Sequence, residues 1–152
     1  MLLPALEVIK ILYLPLIVLS GFLLGAILGS LALALADRSL TKRSFWGWSF
    51  CPSCQHKLGV LDLVPLLSFL LLKGKCRYCG KKIGFEYPLV ELLMGTLVAF
   101  LFFTFFKDFV FSDIASLIYF GLALVFPIFF ITVLVILTLT DLKKTLIPDR
   151  II

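Results

Sequence analysis

The sequence predicts an all-α polytopic membrane protein with three transmembrane helices, on three observations. First, 62% of its 152 residues are hydrophobic, 16 of them phenylalanine, and the mean hydropathy is +1.16. Soluble domains are nearer about 45–50% apolar, and a chain this short cannot enclose the excess in one water-soluble core. Second, the apolar residues are gathered into three long runs. Third, the basic residues fall almost entirely on one side of those runs.

The runs are the spans. A bilayer-crossing helix needs about 20 predominantly apolar residues. Ile11 to Ala36 carries no charge, Leu89 to Phe106 carries only Glu91, and Ile114 to Thr140 carries none. The first run is too long for the core of a cleaved leader and lacks a basic segment before it, so it is read as a retained span. The organisation predicted is an external N-terminus and first helix over 1–36, a loop over 37–87 and a second helix over 88–106. An external turn over 107–113, a third helix over 114–140 and a terminal segment over 141–152 complete it.

Orientation comes from lysine and arginine. Nine lie between Asp37 and Tyr87, and Lys143, Lys144 and Arg150 follow the third run, whereas only Lys10 and Lys107 lie on the other side. Twelve against two places the N-terminus outside and the 37–87 loop in the cytoplasm. Topology and anionic lipid account for the net charge of +5, so no nucleic-acid partner is needed to explain it.

All four cysteines sit in that loop, as Cys51-Pro-Ser-Cys54 and Cys76-Arg-Tyr-Cys79. The spacing C-x2-C-x21-C-x2-C is close to that of a zinc ribbon. Two intervening residues let both thiolates of a knuckle face one ion, and two knuckles complete a tetrahedral four-sulfur site. The halves repeat: Cys51–Gly59 and Cys76–Gly84 both read C-x2-C-x3-aliphatic-Gly, 25 residues apart. Glycines after the second cysteine are expected to close each knuckle. Two disulfides or four free thiols are the alternative, and a reducing cytoplasm disfavours the first. A closed four-cysteine site leaves no position for water, so its role is structural.

Residues 61–72 are apolar but too short to span, and read as an interfacial or re-entrant segment. His56, the sole histidine, reads as a solvated loop residue. Asp62 and Glu86 read as ion-pair partners for the loop's lysines, and Asp108 and Asp113 as markers of the external turn. Pro127, inside the third run, predicts a kink that could aim Asp141 or merely serve packing. Phe100, Phe102, Phe103, Phe105 and Phe106 read as lipid-facing.

A family resemblance rests on ordered motifs. Gly29-Ser30 is followed by Arg38; then come Val64-Pro65-Leu66-Leu67-Ser68, Lys73-Gly74-Lys75-Cys76-Arg77-Tyr78-Cys79 and Tyr87-Pro88-Leu89-Val90-Glu91-Leu92. Over most of residues 21–95, and again at 140–149, the chain resembles the bacterial type IV prepilin peptidases. It departs from them after Ser30, where Leu31-Ala32-Leu33 stands for the family's Phe-x-Asn, and after Arg38, where a Leu-Pro is missing. The resemblance implies a membrane aspartic endopeptidase of the bacterial inner membrane. Such an enzyme removes the leader of prepilins or pseudopilins at the cytoplasmic face, and many members also methylate the new N-terminus with S-adenosylmethionine.

It further implies a catalytic role for Asp141, the first aspartate of a D-x6-P-D arrangement ending in Pro148-Asp149. A carboxylate where lipid gives way to water is partly desolvated, and a second one nearby lets the pair share a proton. One member then activates water while the other donates to the carbonyl oxygen. On the residues alone, Asp141 reads more simply as the polar end of a helix, and the catalytic role comes from the resemblance. The family's second aspartate lies in a Gly-x-Gly-Asp motif that these residues do not contain, and Asp149 is not expected to replace it. The expectation is therefore a fragment or truncated chain, inactive alone as a protease. Glu91 matches the family's Tyr-Pro-Leu-Val-Glu and is a candidate for substrate binding or methylation; otherwise it caps its helix or pairs with a basic loop residue. The competing function is a non-catalytic zinc-ribbon scaffold that docks a partner chain.

Overall fold

The computed structural model describes residues 2–41, 44, 47–107 and 113–146, with only the backbone described for residues 2–11 and Leu146. Its elements are α1 (Leu2–Leu40), a single 3-10 turn (Val60–Asp62), α2 (Leu67–Leu71), α3 (Glu86–Phe106) and α4 (Ile114–Leu146). Three of the helices are long and apolar enough to cross a membrane. The described residues form no strand, only two isolated bridges in the loop.

Helix α1 and helix α3 form the packed centre, and small residues on α1 set their approach. Gly21, Gly25 and Gly29 recur every four residues, so they lie along one face. A Cβ on Gly25 would lie 2.3 Å from the Met94 carbonyl oxygen, and one on Gly29 would lie 3.0 Å from that of Val90. The backbones touch there because no side chain intervenes, as small residues permit between membrane helices. Gly95 answers from α3, where the ring of Phe22 fills the space a Cβ would take. Ala26, Ala32, Leu33, Ala36, Met94 and Val98 complete the buried seam.

Helix α4 is different. Only 6% of its most apolar window is buried, against 33% in α1 and 28% in α3. It leans mainly on α1 and meets α3 less. Its start is capped by Asp113, whose Oδ1 accepts the Ser116 amide at 2.8 Å. Phe120 stacks edge-on against Phe106, with centroids 4.7 Å apart, and contacts Phe105 at 6.0 Å. Of the five phenylalanines expected to face lipid, Phe100 and Phe103 are exposed, while Phe102 lies over Gly21 and the other two hold Phe120. Asp108 lies outside the described residues.

The two helix ends expected near 36 and 140 both run further. Helix α1 continues to Leu40, and α4 passes through Pro127 and Asp141 to Leu146. Asp141 therefore sits inside the last two turns of a helix rather than at its end. The end of α1, the start of α3 and the end of α4 meet, because Lys143 bonds both Asp37 and Glu86. The cysteine loop and Asp141 thus share one end of the bundle.

Candidate functional site

The loop between α1 and α3 folds as two copies of one knuckle. The Cys51 amide donates to the His56 carbonyl at 3.0 Å, and the Cys76 amide to that of Lys81 at 2.8 Å. Gln55 donates to the Cys51 carbonyl, and Gly80 to that of Cys76, both at 2.9 Å. Leu58 reaches Ser49 and Ile83 reaches Gly74, both at 2.8 Å, while Phe50 bridges Lys57 and Lys75 bridges Lys82. Each partner in one half lies 25 residues from its counterpart in the other, the interval of the sequence repeat. The turns do not close at Gly59 and Gly84, as the sequence pattern suggests. The left-handed positions are Gln55 (φ 56°) and Gly80 (φ 69°), immediately after the second cysteine of each half.

The four Sγ atoms lie within 4.8 Å of one another, with Cys51 and Cys79 3.9 Å apart. Four sulfurs about 2.3 Å from a central tetrahedral ion would stand about 3.8 Å apart. The thiols therefore fit one metal ion. Cys51 and Cys76 are buried, and Cys54 and Cys79 exposed. Burial works to raise the Cys51 thiol, but the Cys54 and Ser53 amides and neighbouring thiols outweigh it and bring it down to about 7. The His56 amide works to lower Cys54, yet its own desolvation and the thiols of Cys51 and Cys79 push it up to about 11. Four thiols this close would repel one another once deprotonated, and a shared cation would offset that charge.

His56 is exposed and lies over the Tyr78 ring, with centroids 3.7 Å apart. Asp62 pairs with Arg77 rather than a lysine: its Oδ1 is 2.7 Å from Arg77 Nε, and its Oδ2 accepts the Tyr78 hydroxyl at 3.1 Å and the Gly59 amide at 3.0 Å. Burial would raise the Asp62 carboxyl, but these donors and Arg77 hold it below the usual carboxylate range. Glu86 likewise departs from expectation and faces Lys143 of α4, at 3.3 Å.

Glu91 is 7% exposed and, among the described residues, pairs with no basic residue of the loop. Its Oε2 accepts the Leu66 amide at 2.8 Å, and the Ser30 hydroxyl donates to the same carboxylate. Leu66 holds φ 60° and ψ −46°, and Leu67 donates back to the Pro65 carbonyl at 2.6 Å. That is a γ-turn of the rare, strained positive-φ kind. Beyond it α2 exposes Leu67, Leu70 and Leu71, continuing the apolar surface of Val60 and Leu61.

Asp141 is exposed on α4, one turn before Thr145, whose hydroxyl bonds its carbonyl at 3.2 Å. Asp149 lies outside the described residues. The residues sequence reading does not single out are Asp37 and Lys143. Lys143 Nζ is bonded to Asp37 Oδ1, and Asp37 Oδ2 accepts the Tyr87 hydroxyl at 2.8 Å. Their one sequence signal is weak: Asp37 ends the longest charge-free run before α4, and Lys143 follows Asp141 by two positions.

Fold and site together define a helical membrane protein with a four-thiol ribbon, its sulfurs close enough to hold one metal ion, at the end of the bundle that carries Asp141. The chain belongs to the family described as Bacterial Peptidase A24 N-terminal domain, whose profile matches residues 23–105. Among similar proteins is a Bacillus subtilis prepilin leader peptidase/N-methyltransferase, 38% identical over 134 residues, which cover 86% of this chain and 48% of the relative. A protein of the same name from Pectobacterium carotovorum is 34% identical over 118 residues, 77% of this chain and 37% of the relative. An Escherichia coli type 4 prepilin-like proteins leader peptide-processing enzyme is 57% identical over 53 residues, 35% of this chain and 19% of the relative. The chain spans about half or less of the length of these relatives. No solved structure matches it.

Proposed function

We propose that these residues form the ribbon-bearing part of a membrane aspartic endopeptidase. It would remove the leader of type IV prepilins or pseudopilins at the cytoplasmic face of the bacterial inner membrane. The observation that carries the reading is the family match over 23–105, together with the function named in relatives that align across most of this chain. Asp141 is proposed as one of two catalytic carboxylates. Its exposure where the charge-free run of α4 ends, on the ribbon side, suits a group that must meet water and a peptide bond. The reading needs a second carboxylate from outside residues 1–152, since no Gly-x-Gly-Asp occurs within them. The pair would share a proton, with one oxygen activating water and the other protonating the scissile carbonyl.

Cys51, Cys54, Cys76 and Cys79 would hold zinc, which fits the donor set and spacing and would serve structure alone. The lysine and arginine asymmetry supports an external N-terminus and a cytoplasmic ribbon. The exposed apolar surface of 60–71 supports contact of that segment with the lipid face. The second half of the relatives' names would add S-adenosylmethionine as methyl donor.

The test is Asp141→Asn in the complete gene product, expressed with a type IV prepilin. Leader cleavage is expected to fall to background while the amount in the membrane stays unchanged. Undiminished cleavage would remove Asp141 from the reaction.

A further inference from the structure

Apolar packing does little to fix the rotation of α4. The helix buries almost none of its most apolar window. Towards the ribbon end an apolar cleft of about 540 Å³ separates it from α3, lined by Leu89 and Leu93 on one side and Val135 and Leu139 on the other. Aliphatic surfaces of this kind carry no directional preference, so the helix could turn about its axis with little loss of contact.

One polar cluster does have direction. Lys143 sits at the mouth of the cleft with its side chain only 13% exposed. Its ammonium bonds Asp37 of α1, lies 3.3 Å from Glu86 Oε1 of α3, and stands 5.6 Å from the centroid of the Tyr87 ring. Tyr87 closes the arrangement by donating to the other oxygen of Asp37. Charge-assisted bonds at a membrane boundary are shorter and stronger than neutral ones, and they constrain angle as well as distance. One ammonium therefore ties the ends of all three long helices.

Lys143 follows Asp141 by two positions, which places their side chains about 200° apart around a helix of 3.6 residues per turn. With Lys143 drawn towards α1 and α3, Asp141 faces away from both. We propose that Lys143 and Asp37 are positioning residues. They set the rotation of α4 so that Asp141 meets its partner carboxylate and the substrate on the face of α4 opposite α1 and α3. This inference rests on the reading of Asp141 as a catalytic carboxylate.

The experiment uses the complete gene product, purified with a type IV prepilin as substrate. The variants are Lys143→Met, Asp37→Asn and Lys143→Arg. Lys143→Met and Asp37→Asn should each lower kcat on the order of tenfold to a hundredfold, the scale of an ångström-level misplacement, with KM within about twofold. Lys143→Arg, which keeps the charge facing both Asp37 and Glu86, should retain most of it. Hydrogen exchange across residues 138–146 should quicken in the two neutral variants and keep the parent rate in Lys143→Arg. A parent-like kcat in Lys143→Met, or a Lys143→Arg variant no better than Lys143→Met, overturns the proposal. So does unaltered hydrogen exchange in the neutral variants. Asp141→Asn runs in parallel: if it cleaves normally the catalytic reading falls, while the exchange rates still decide whether Lys143 and Asp37 order this helix.

Discussion

The carboxylate of Glu91 accepts the backbone N–H of Leu66, 25 residues earlier in the chain, at 2.8 Å. This bond joins a buried position on α3 to a strained turn at the entrance of α2. Positive φ costs a non-glycine residue on the order of 1–3 kcal/mol, so the turn persists only while its surroundings hold it. Glu91→Ala should leave the Leu66 amide without its acceptor and the Ser30 hydroxyl without this partner, at about 1–3 kcal/mol. Residues 64–72 should then exchange amide hydrogen faster, while Glu91→Gln, which keeps an acceptor oxygen, should retain most of the protection. Equal protection in the parent and Glu91→Ala would show that the turn stands without Glu91.

The glycine face of α1 gives a contrast within one protein. At Gly25 a Cβ would lie 2.3 Å from the Met94 carbonyl oxygen and 2.8 Å from Val98 Cβ. Gly25→Ala must push α1 and α3 apart, an overpacking cost of about 1–3 kcal/mol. At Gly121 of α4 nothing lies within 4 Å of the same added atom. Gly121→Ala should therefore be neutral or stabilise by up to about 1 kcal/mol through helix propensity. Unfolding in mixed detergent would measure both. Equal effects at the two sites would contradict the close approach of α1 to α3.

The difference between what is legible and what is not lies in the range of the signal. A charge-free run of 26 residues from Ile11, or two C-x2-C pairs 25 apart, is a local pattern with one plausible physical use. Helices and ribbon follow from such patterns. The face on which α1 packs does not, because an almost wholly apolar helix has no polar side to exclude; only Gly21, Gly25 and Gly29 mark it. Lys143 and Asp37 are separated by 106 positions, and either alone resembles an ordinary charge at a helix end. Glu91 was ambiguous for the same reason, since Leu66 and Ser30 reach it only through the fold. The knuckle turns were misplaced because glycine draws attention to itself, whereas Gln55 adopts the left-handed conformation without announcing it.

Asp62 should give the ribbon an acid-sensitive element. Its side chain is 6% exposed, and its donors hold the carboxyl below its ordinary value. A depressed folded value means the charged form is favoured by folding. Its contribution is therefore complete above the unfolded value of about 3.9 and disappears as pH falls through the folded one. Asp62→Asn should cost about 1–3 kcal/mol at neutral pH. The gap between parent and variant should stay constant down to about pH 5 and narrow below it. A gap that widened on acidification would reverse the assigned sign.

The four thiols make the sharpest prediction about the ribbon. Each knuckle is closed by its own backbone bonds, and one ion shared by all four thiols would join Cys51 and Cys54 to Cys76 and Cys79. Purified protein should contain about one zinc per chain, bound with release of thiol protons and therefore more weakly as pH falls. Replacing Cys51 and Cys76 by Ser removes one buried ligand from each half, so zinc should be lost. Hydrogen exchange should then rise together over residues 49–58 and 74–83, and a chelator acting on the parent should reproduce the effect. A parent protein free of zinc would end the structural-metal reading. Protection lost in one knuckle while the other keeps it would show that the halves are held separately, since an ion coordinated by both cannot leave one of them intact.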